Sequence, residues 1–193
     1  MRGHIANLAA RLMAVDGIDE FALAKRKAAR QAGAPDTRSL PTNEEVEQAL
    51  RAYQQLYMPD EQAARLRHLR EKALEMMKIL QPFNPFLSGA VLRGSASKYT
   101  EIELHLFTDA AKEVELFLLN RQIGYRSRDR RVWVGDDLRS VSSYLISTAE
   151  ADFEITVFSR TDMRTNLRNT ADGRPFDRGS QAEVETLLLR GDS

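Results

Sequence analysis

Apolar residues recur at intervals of three and four positions through the first eighty residues of the chain. Ile5, Leu8 and Leu12 begin this pattern, and such spacing places apolar side chains on one side of an α-helix. Gly17 follows at the place where a left-handed glycine commonly closes a helix. The sequence therefore predicts an amphipathic first helix, then a shorter Ala-rich helix, and a surface loop in the turn-rich residues 33–41.

Two more long helices are predicted before the pattern changes. Thr42 and Glu45 form a capping box, in which each side chain bonds to the other residue's backbone N–H. The helical period then continues to Tyr57 and starts again after Pro59. Pro82 cannot continue a helix and is expected to end this one. Residues 1–81 are therefore predicted to form a helical amino-terminal region.

After residue 85 the helical period gives way to the alternation of apolar and polar residues that is typical of β-strands. One helix, from about Asp109 to Asn120, interrupts these strands, and a second capping box, Ser180 with Glu183, predicts a last helix. The chain is therefore assigned to the α+β class, with residues 82–193 as its α+β region. The predicted strands are Glu101–Phe107, Arg131–Val134, Ser140–Ser147 and Asp152–Phe158.

Composition narrows the class of protein. The chain has 193 residues, of which 42% are hydrophobic, enough for one domain or for a small domain with a helical extension. Its 28 Lys and Arg balance its 28 Asp and Glu, and this zero net charge disfavours a coat on nucleic acid or on an anionic membrane. It has no cysteine, which excludes disulfides, thiolate nucleophiles and cysteine-ligated metals. No apolar stretch reaches the roughly 20 residues of a membrane span, so a cytoplasmic protein without membrane association is expected.

The segment from Gly89 to Leu104 carries the candidate chemistry. A turn of small residues lets backbone N–H groups approach phosphates closely, and the strand that follows places Glu101, Glu103 and His105 on one face. Mg²⁺ prefers oxygen ligands and is commonly held by one or two carboxylates together with substrate phosphates. The segment therefore favours a site for Mg²⁺ and a phosphate-bearing ligand, although a Glu-x-Glu strand is also common on the solvent-facing side of an antiparallel sheet.

This segment resembles the signature of the DNA polymerase beta superfamily of nucleotidyltransferases. That signature is Gly-Ser or Gly-Gly, a short spacer, and then two acidic residues separated by one residue on a strand. Here Gly89 and Ala90 are followed by ten residues and then by Glu101 and Glu103. The resemblance is close over this segment and looser over residues 86–158, and it implies a nucleotidyltransferase-like mixed β-sheet flanked by helices.

The resemblance also implies an activity and a set of site residues. The activity is transfer of a nucleoside monophosphate from a nucleoside triphosphate to a hydroxyl group, with release of pyrophosphate. Two Mg²⁺ ions would be held by Glu101, Glu103 and a third carboxylate, for which Glu154 fits best and Asp152 second. Glu154 is also the candidate general base. The phosphate cradle implied by the resemblance consists of Gly89, Ala90, Arg93, Gly94 and Ser95.

Two departures from the signature support an alternative from another class. Ala90 stands where the family has serine, and so lacks a hydroxyl that would contact a phosphate oxygen. Glu101 stands in place of aspartate, and its extra methylene displaces a carboxylate in a site that tolerates little displacement. The alternative is a catalytically degenerate member of the fold that acts as a nucleotide sensor or as a protein-interaction module.

The remaining expectations concern partners. Arg126, Arg128, Arg130 and Arg131 form a basic cluster, which is either a solvated strand or a contact for an acceptor phosphate or RNA. The apolar stripes of residues 1–81 could bury against a second copy of the chain and form a homo-oligomer. A nucleotide is the expected partner, and the sequence identifies neither the acceptor nor the base of the nucleotide.

Overall fold

The structure is a computed structural model that describes residues 1–35 and 38–191. Residues 36–37 of the predicted surface loop 33–41 lie outside the described residues. The predicted boundary at residues 81–82 stays a prediction. The chain divides into two compact units, Met1–Leu66 with Gly94–Thr100, and Arg67–Arg93 with Glu101–Ser193.

The first unit is built on helices that pack on α1. Ile5 and Ala9 of α1, Ala28 of α2, and Val46 and Leu50 of α3 all belong to one buried apolar cluster. Many of the buried side chains in α1 and α2 are alanines, and small side chains let helix backbones approach closely. The predicted apolar stripe is thus buried within the chain. The helices are α1 (Arg2–Asp16), α2 (Phe21–Gln31), α3 (Asn43–Tyr57) and the beginning of α4 (Pro59–Ile79).

The predicted signals for the ends of these helices are confirmed. Gly17 follows α1 in the left-handed conformation, with φ of 68°. At the start of α3, the hydroxyl of Thr42 accepts from the N–H of Glu45 at 3.1 Å, and the Glu45 carboxylate accepts from the N–H of Thr42 at 2.6 Å. These bonds satisfy backbone donors that the first turn of a helix leaves unpaired.

The second unit contains a mixed sheet whose described strands lie in the spatial order β1-β2-β5-β4-β3-β6. Only the β2–β5 pair is parallel, and the other neighbours are antiparallel. The predicted combination of helices with a mixed sheet is therefore confirmed. The strands are β1 (Phe86–Ser88), β2 (Ile102–Phe107), β3 (Arg126–Val134), β4 (Asp137–Ser147), β5 (Asp152–Phe158) and β6 (Leu167–Asn169), and the further helices are α5 (Gly89–Arg93), α6 (Ala111–Asn120) and α7 (Gln181–Arg190).

The two faces of this sheet differ in their side chains. On one face, Leu104 of β2 lies opposite Ile155 of β5, and both are fully buried. The other face is apolar at one end, where Phe107, Phe158 and Val132 share a core cluster. At its opposite end the same face carries carboxylates, hydroxyls and guanidinium groups. That polar end holds the candidate site.

The observed strands extend beyond the predicted ones at the β3–β4 hairpin. β3 begins at Arg126 instead of Arg131, and β4 begins at Asp137 instead of Ser140. The added residues are mostly polar, so apolar alternation does not reveal them, but they pair in register across the hairpin. The short β6 was also not predicted. Among the described residues no helix is both long and apolar enough to cross a bilayer.

Candidate functional site

Two of the predicted carboxylates lie side by side in the sheet. Glu103 of β2 and Glu154 of β5 are direct partners in the parallel pairing, and partners in register project from the same face of a sheet. The Glu154 side chain is only 7% exposed, whereas that of Glu103 is 28% exposed. Two carboxylates held this close repel each other unless one is protonated or a positive charge lies beside them.

Arg130 of β3 provides that charge. Its guanidinium nitrogens lie 3.4 Å from Glu103 Oε2 and 3.3 Å from Glu154 Oε2. It also donates to the Thr156 hydroxyl at 3.3 Å and lies over the ring of Phe176. The side chain is 17% exposed. One arginine therefore links the two carboxylates and is held in place on several sides.

Glu154 has two more partners. Arg128 Nη2 lies 2.6 Å from Glu154 Oε1, and the buried Ser143 hydroxyl donates to the same oxygen at 2.8 Å. Burial by itself would raise the pKa of Glu154, but Arg130, Arg128 and Ser143 outweigh burial and lower that pKa below its usual value. Glu154 is therefore ionised at neutral pH.

Gly89 lies against the carboxylate of Glu103. It has φ of 74° and is the first residue of α5, directly after β1. A Cβ at this position would fall 2.5 Å from Glu103 Oε1. The glycine thus serves both a left-handed backbone conformation and a close approach of the carboxylate.

Glu101 and Asp152 occupy more exposed positions at the same end of the sheet. Glu101 directly precedes β2, and its pKa is raised by partial burial and by the negative charge of Glu154, with a smaller opposing effect of Arg128. Asp152 is exposed at the start of β5 and pairs with Ser147. Of the two candidates for the third carboxylate, Glu154 is therefore the one that lies directly beside Glu103.

The predicted phosphate cradle is divided between the two units. Ala90 and Arg93 lie in α5, and Arg93 pairs with Asp177 at 3.5 Å. Gly94 and Ser95 belong to the first unit. Of the residues of this cradle, Gly89 lies against the carboxylate of Glu103.

Within the first unit, the loop that contains Gly94 and Ser95 is bound to helical side chains. Gln62 donates to the carbonyl of Gly94 at 3.4 Å and to that of Ala96 at 3.0 Å. The buried hydroxyl of Ser95 donates to the carboxylate of Glu47 at 2.6 Å. The hydroxyl that the resemblance assigns to a phosphate thus has a protein partner here.

His105 continues the face of Glu103 but lies in the apolar interior. It is fully buried, with its ring edge-on to those of Phe158 and Phe176. Burial, with the positive charges of Arg130 and Arg178, lowers its pKa to about 3. It is therefore neutral at physiological pH.

Carboxylate oxygens are the ligand atoms that Mg²⁺ prefers. In this structure, however, the oxygens of Glu103 and Glu154 contact arginine and serine side chains. Three of the four oxygens of Glu103 and Glu154 are hydrogen-bonded to or ion-paired with Arg128, Arg130 or Ser143. Within residues 1–35 and 38–191, no group of three or more His, Asp or Glu side chains is arranged to hold a metal ion. As arranged, the residues fit a guanidinium better than a pair of Mg²⁺ ions, and the two ions stay a prediction.

The sequence indicated a basic cluster but not its partners. Arg126, Arg128 and Arg130 alternate along β3, and this period of two is the signal that they share one strand face. The contacts of Arg128 and Arg130 with Glu154 depend on the β3–β4–β5 pairing, which a strand predicted to begin at Arg131 could not reveal. No protein-family model matches this chain, and no curated protein matches it.

Proposed function

We propose that the protein is a nucleotidyltransferase-like protein that binds a nucleotide and does not transfer it. The observation that carries the proposal is the position of Arg130, whose guanidinium links Glu103 and Glu154. Metal-assisted transfer needs those carboxylates as ligands. Here both carboxylates are ion-paired with arginines, and Ala90 and Glu101 depart from the signature as well.

Nucleotide binding, as opposed to catalysis, is supported by the charges that remain accessible. The side chain of Arg128 is 50% exposed and presents a planar group with five N–H donors. Guanidinium groups pair with phosphate oxygens in a two-pronged geometry. Arg128 therefore has the chemistry and the exposure to contact a phosphate at the edge of this site.

The first experiment measures binding and locates it. Calorimetric titration of the protein with ATP and GTP should show saturable binding of at least one. Arg128→Glu should weaken this binding by at least about tenfold, because it replaces attraction of phosphate by repulsion. Arg131→Glu is the matched control, since Arg131 is an exposed residue of the same strand but of the opposite face. Absence of binding in the wild type, or equal binding by both variants, would refute the proposal.

An active nucleotidyltransferase is the second candidate, and the direct pairing of Glu103 with Glu154 favours it. In that reaction an acceptor hydroxyl oxygen attacks the α-phosphorus, the bond to pyrophosphate breaks, and the hydroxyl proton passes to a base. The assay follows label from an α-labelled nucleoside triphosphate in the presence of Mg²⁺ or Mn²⁺.

The restored signature separates the two candidates. Ala90→Ser together with Glu101→Asp should raise the rate if the protein is a weakened enzyme, because it returns a hydroxyl and repositions a carboxylate. A binding protein should show no transfer in either form. Label transfer by the wild type would establish the second candidate in place of the first.

A further inference from the structure

We infer that Arg130 is the built-in cation of this site, so that nucleotide binding does not require a divalent metal ion. The inference rests on the proposed function for the identity of the ligand, but its central step concerns only Arg130 and the two carboxylates. Arg130 pairs with both Glu103 and Glu154, and Arg128 contacts the phosphate. In this arrangement the guanidinium of Arg130 supplies the positive charge that a metal ion would otherwise supply to the two carboxylates.

The position of Arg130 is the first support. Its nitrogens approach one oxygen of Glu103 and one of Glu154 at nearly equal distances, 3.4 and 3.3 Å. A cation that bridges two neighbouring carboxylates occupies the place a bridging metal would take. Thr156 and the ring of Phe176 hold the same guanidinium from other directions.

The second support is the balance of charge. Glu103 and Glu154 carry two negative charges, and the arginines that contact them, Arg128 and Arg130, carry two positive ones. Glu101 and Asp152 add negative charge at the same end of the sheet. Without Arg130 this end of the sheet would be more negative still and would repel a triphosphate more strongly. With Arg130 in place, Arg128 can exchange part of its contact with Glu154 for a phosphate while that carboxylate stays paired.

The third support is that a metal ion could displace the guanidinium of Arg130 only at a high cost in free energy. A metal ion entering between the carboxylates would have to displace a guanidinium that is 17% exposed. Moving a largely buried charge away from its partners is unfavourable. The wild-type protein should therefore bind divalent ions weakly, and removal of the guanidinium should create a metal site from the same two carboxylates.

The first arm of the test uses Mn²⁺ alone, without nucleotide, followed by electron paramagnetic resonance. Arg130→Gln should bind Mn²⁺ at least about tenfold more tightly than the wild type, because it vacates the place between the carboxylates. Arg131→Gln is the matched control and should bind Mn²⁺ as the wild type does. An Arg130→Gln affinity no higher than that of the wild type would overturn the inference, whatever nucleotide does.

The second arm compares nucleotide titrations in EDTA and in excess Mg²⁺. The wild-type affinity should differ by less than about threefold between the two, whereas Arg130→Gln should lose at least about tenfold in EDTA and recover in Mg²⁺. A wild type that binds nucleotide only in Mg²⁺ would overturn the inference. A wild type that binds no nucleotide in either buffer would refute the proposed function, and the Mn²⁺ arm would then decide the role of Arg130.

Two unpaired carboxylates could prevent Arg130→Gln from folding, so a second variant is included. Arg130→Lys keeps one positive charge beside them. In EDTA we expect it to bind nucleotide within about tenfold of the wild type. A greater loss that Mg²⁺ does not reverse would show that charge at this position is not what the site needs, and would overturn the inference.

Discussion

Gly89 and Glu103 lie so close together that the position of the glycine has no room for a side chain. A Cβ there would fall 2.5 Å from Glu103 Oε1 and 2.9 Å from its carboxyl carbon. The same glycine has φ of 74°, a conformation that side chains disfavour. The contact joins the first residue of α5, directly after β1, to the carboxylate that Arg130 binds.

Gly89→Ala should therefore destabilise the protein more than the left-handed conformation alone explains. Gly173 is the matched control, because it has φ of 69° but open space where a Cβ would stand. We expect Gly173→Ala to lower the free energy of unfolding by about 1–2 kcal/mol. Gly89→Ala should lower it by a further ~1–3 kcal/mol, the usual cost of overpacking. If urea unfolding gave the same loss of free energy of unfolding for both variants, the Glu103 side chain would be able to move away from a Cβ at position 89 at no cost.

Ser143→Ala should lower the free energy of unfolding, because it removes a hydrogen bond to Glu154. The hydroxyl donates to Glu154 Oε1 at 2.8 Å in a buried position, and a hydrogen bond to a charged group contributes about 1.5–3 kcal/mol. Ser142→Ala, on the opposite face of β4, is the control and should change stability by less than about 0.5 kcal/mol.

The effect of Ser143 should also depend on pH. The partners of Glu154 lower its pKa in the folded protein, so they contribute stability above the ordinary carboxyl pKa, and this is lost as the pH falls through the folded value. The difference between wild type and Ser143→Ala in urea unfolding should be largest near neutral pH and shrink in acid. A difference independent of pH would mean that the hydroxyl does not act through the ionised carboxylate.

His105 should make the protein sensitive to acid. Its pKa falls from an ordinary 6.5 to about 3 in the folded protein, so the unfolded chain binds the extra proton between these values. Stability should then fall by about 1.4 kcal/mol for each pH unit below 6.5 from this residue alone. His105→Gln should flatten urea-unfolding stability between pH 6.5 and 4.5, whereas His68→Gln, at an exposed position, should keep the wild-type slope. Parallel slopes for wild type and His105→Gln would contradict the buried, neutral state.

Sequence reasoning succeeds where local chemistry decides the structure. The capping box of Thr42 and Glu45 needs only residues three apart, and the helix it predicts begins where expected. Along β5, apolar residues alternate with polar ones, and every residue from Phe153 to Phe158 is buried. The same reasoning placed Glu103 and Glu154 on strands, because their apolar neighbours alternate with them.

The site needs information that no short segment contains. Arg130 reaches Glu103 only because β3, β4, β5 and β2 pair in one particular register, which brings together residues 27 positions apart. The arginine-rich part of β3 lacks the apolar alternation that would mark it as a strand. Ser95 is a similar case, since the helical side chain that binds its hydroxyl lies 48 residues away.

Two roles of Ser95, contact with a phosphate and a structural bond within the protein, predict opposite results for one variant. Its buried hydroxyl donates to Glu47 at 2.6 Å. If that bond is its role, Ser95→Ala should lower the free energy of unfolding by about 1.5–3 kcal/mol and leave nucleotide affinity within about twofold. A double-mutant cycle with Glu47→Gln should give a coupling energy of about 0.5–3 kcal/mol, because the two side chains are in direct contact.

The opposite pattern would restore Ser95 to the phosphate cradle that the resemblance implies. In that case Ser95→Ala would leave urea unfolding unchanged and weaken ATP binding by about tenfold, the loss of one hydrogen bond to a charged phosphate. Arg128→Gln offers the reference for the loss of the proposed phosphate contact, since it should weaken ATP binding; it also removes the 2.6 Å pair with Glu154, so only its effect on binding serves as the reference. We expect Ser95→Ala to differ from that reference in ATP affinity, because a hydroxyl that is buried and already bonded to a carboxylate must break that bond before it can turn to a ligand.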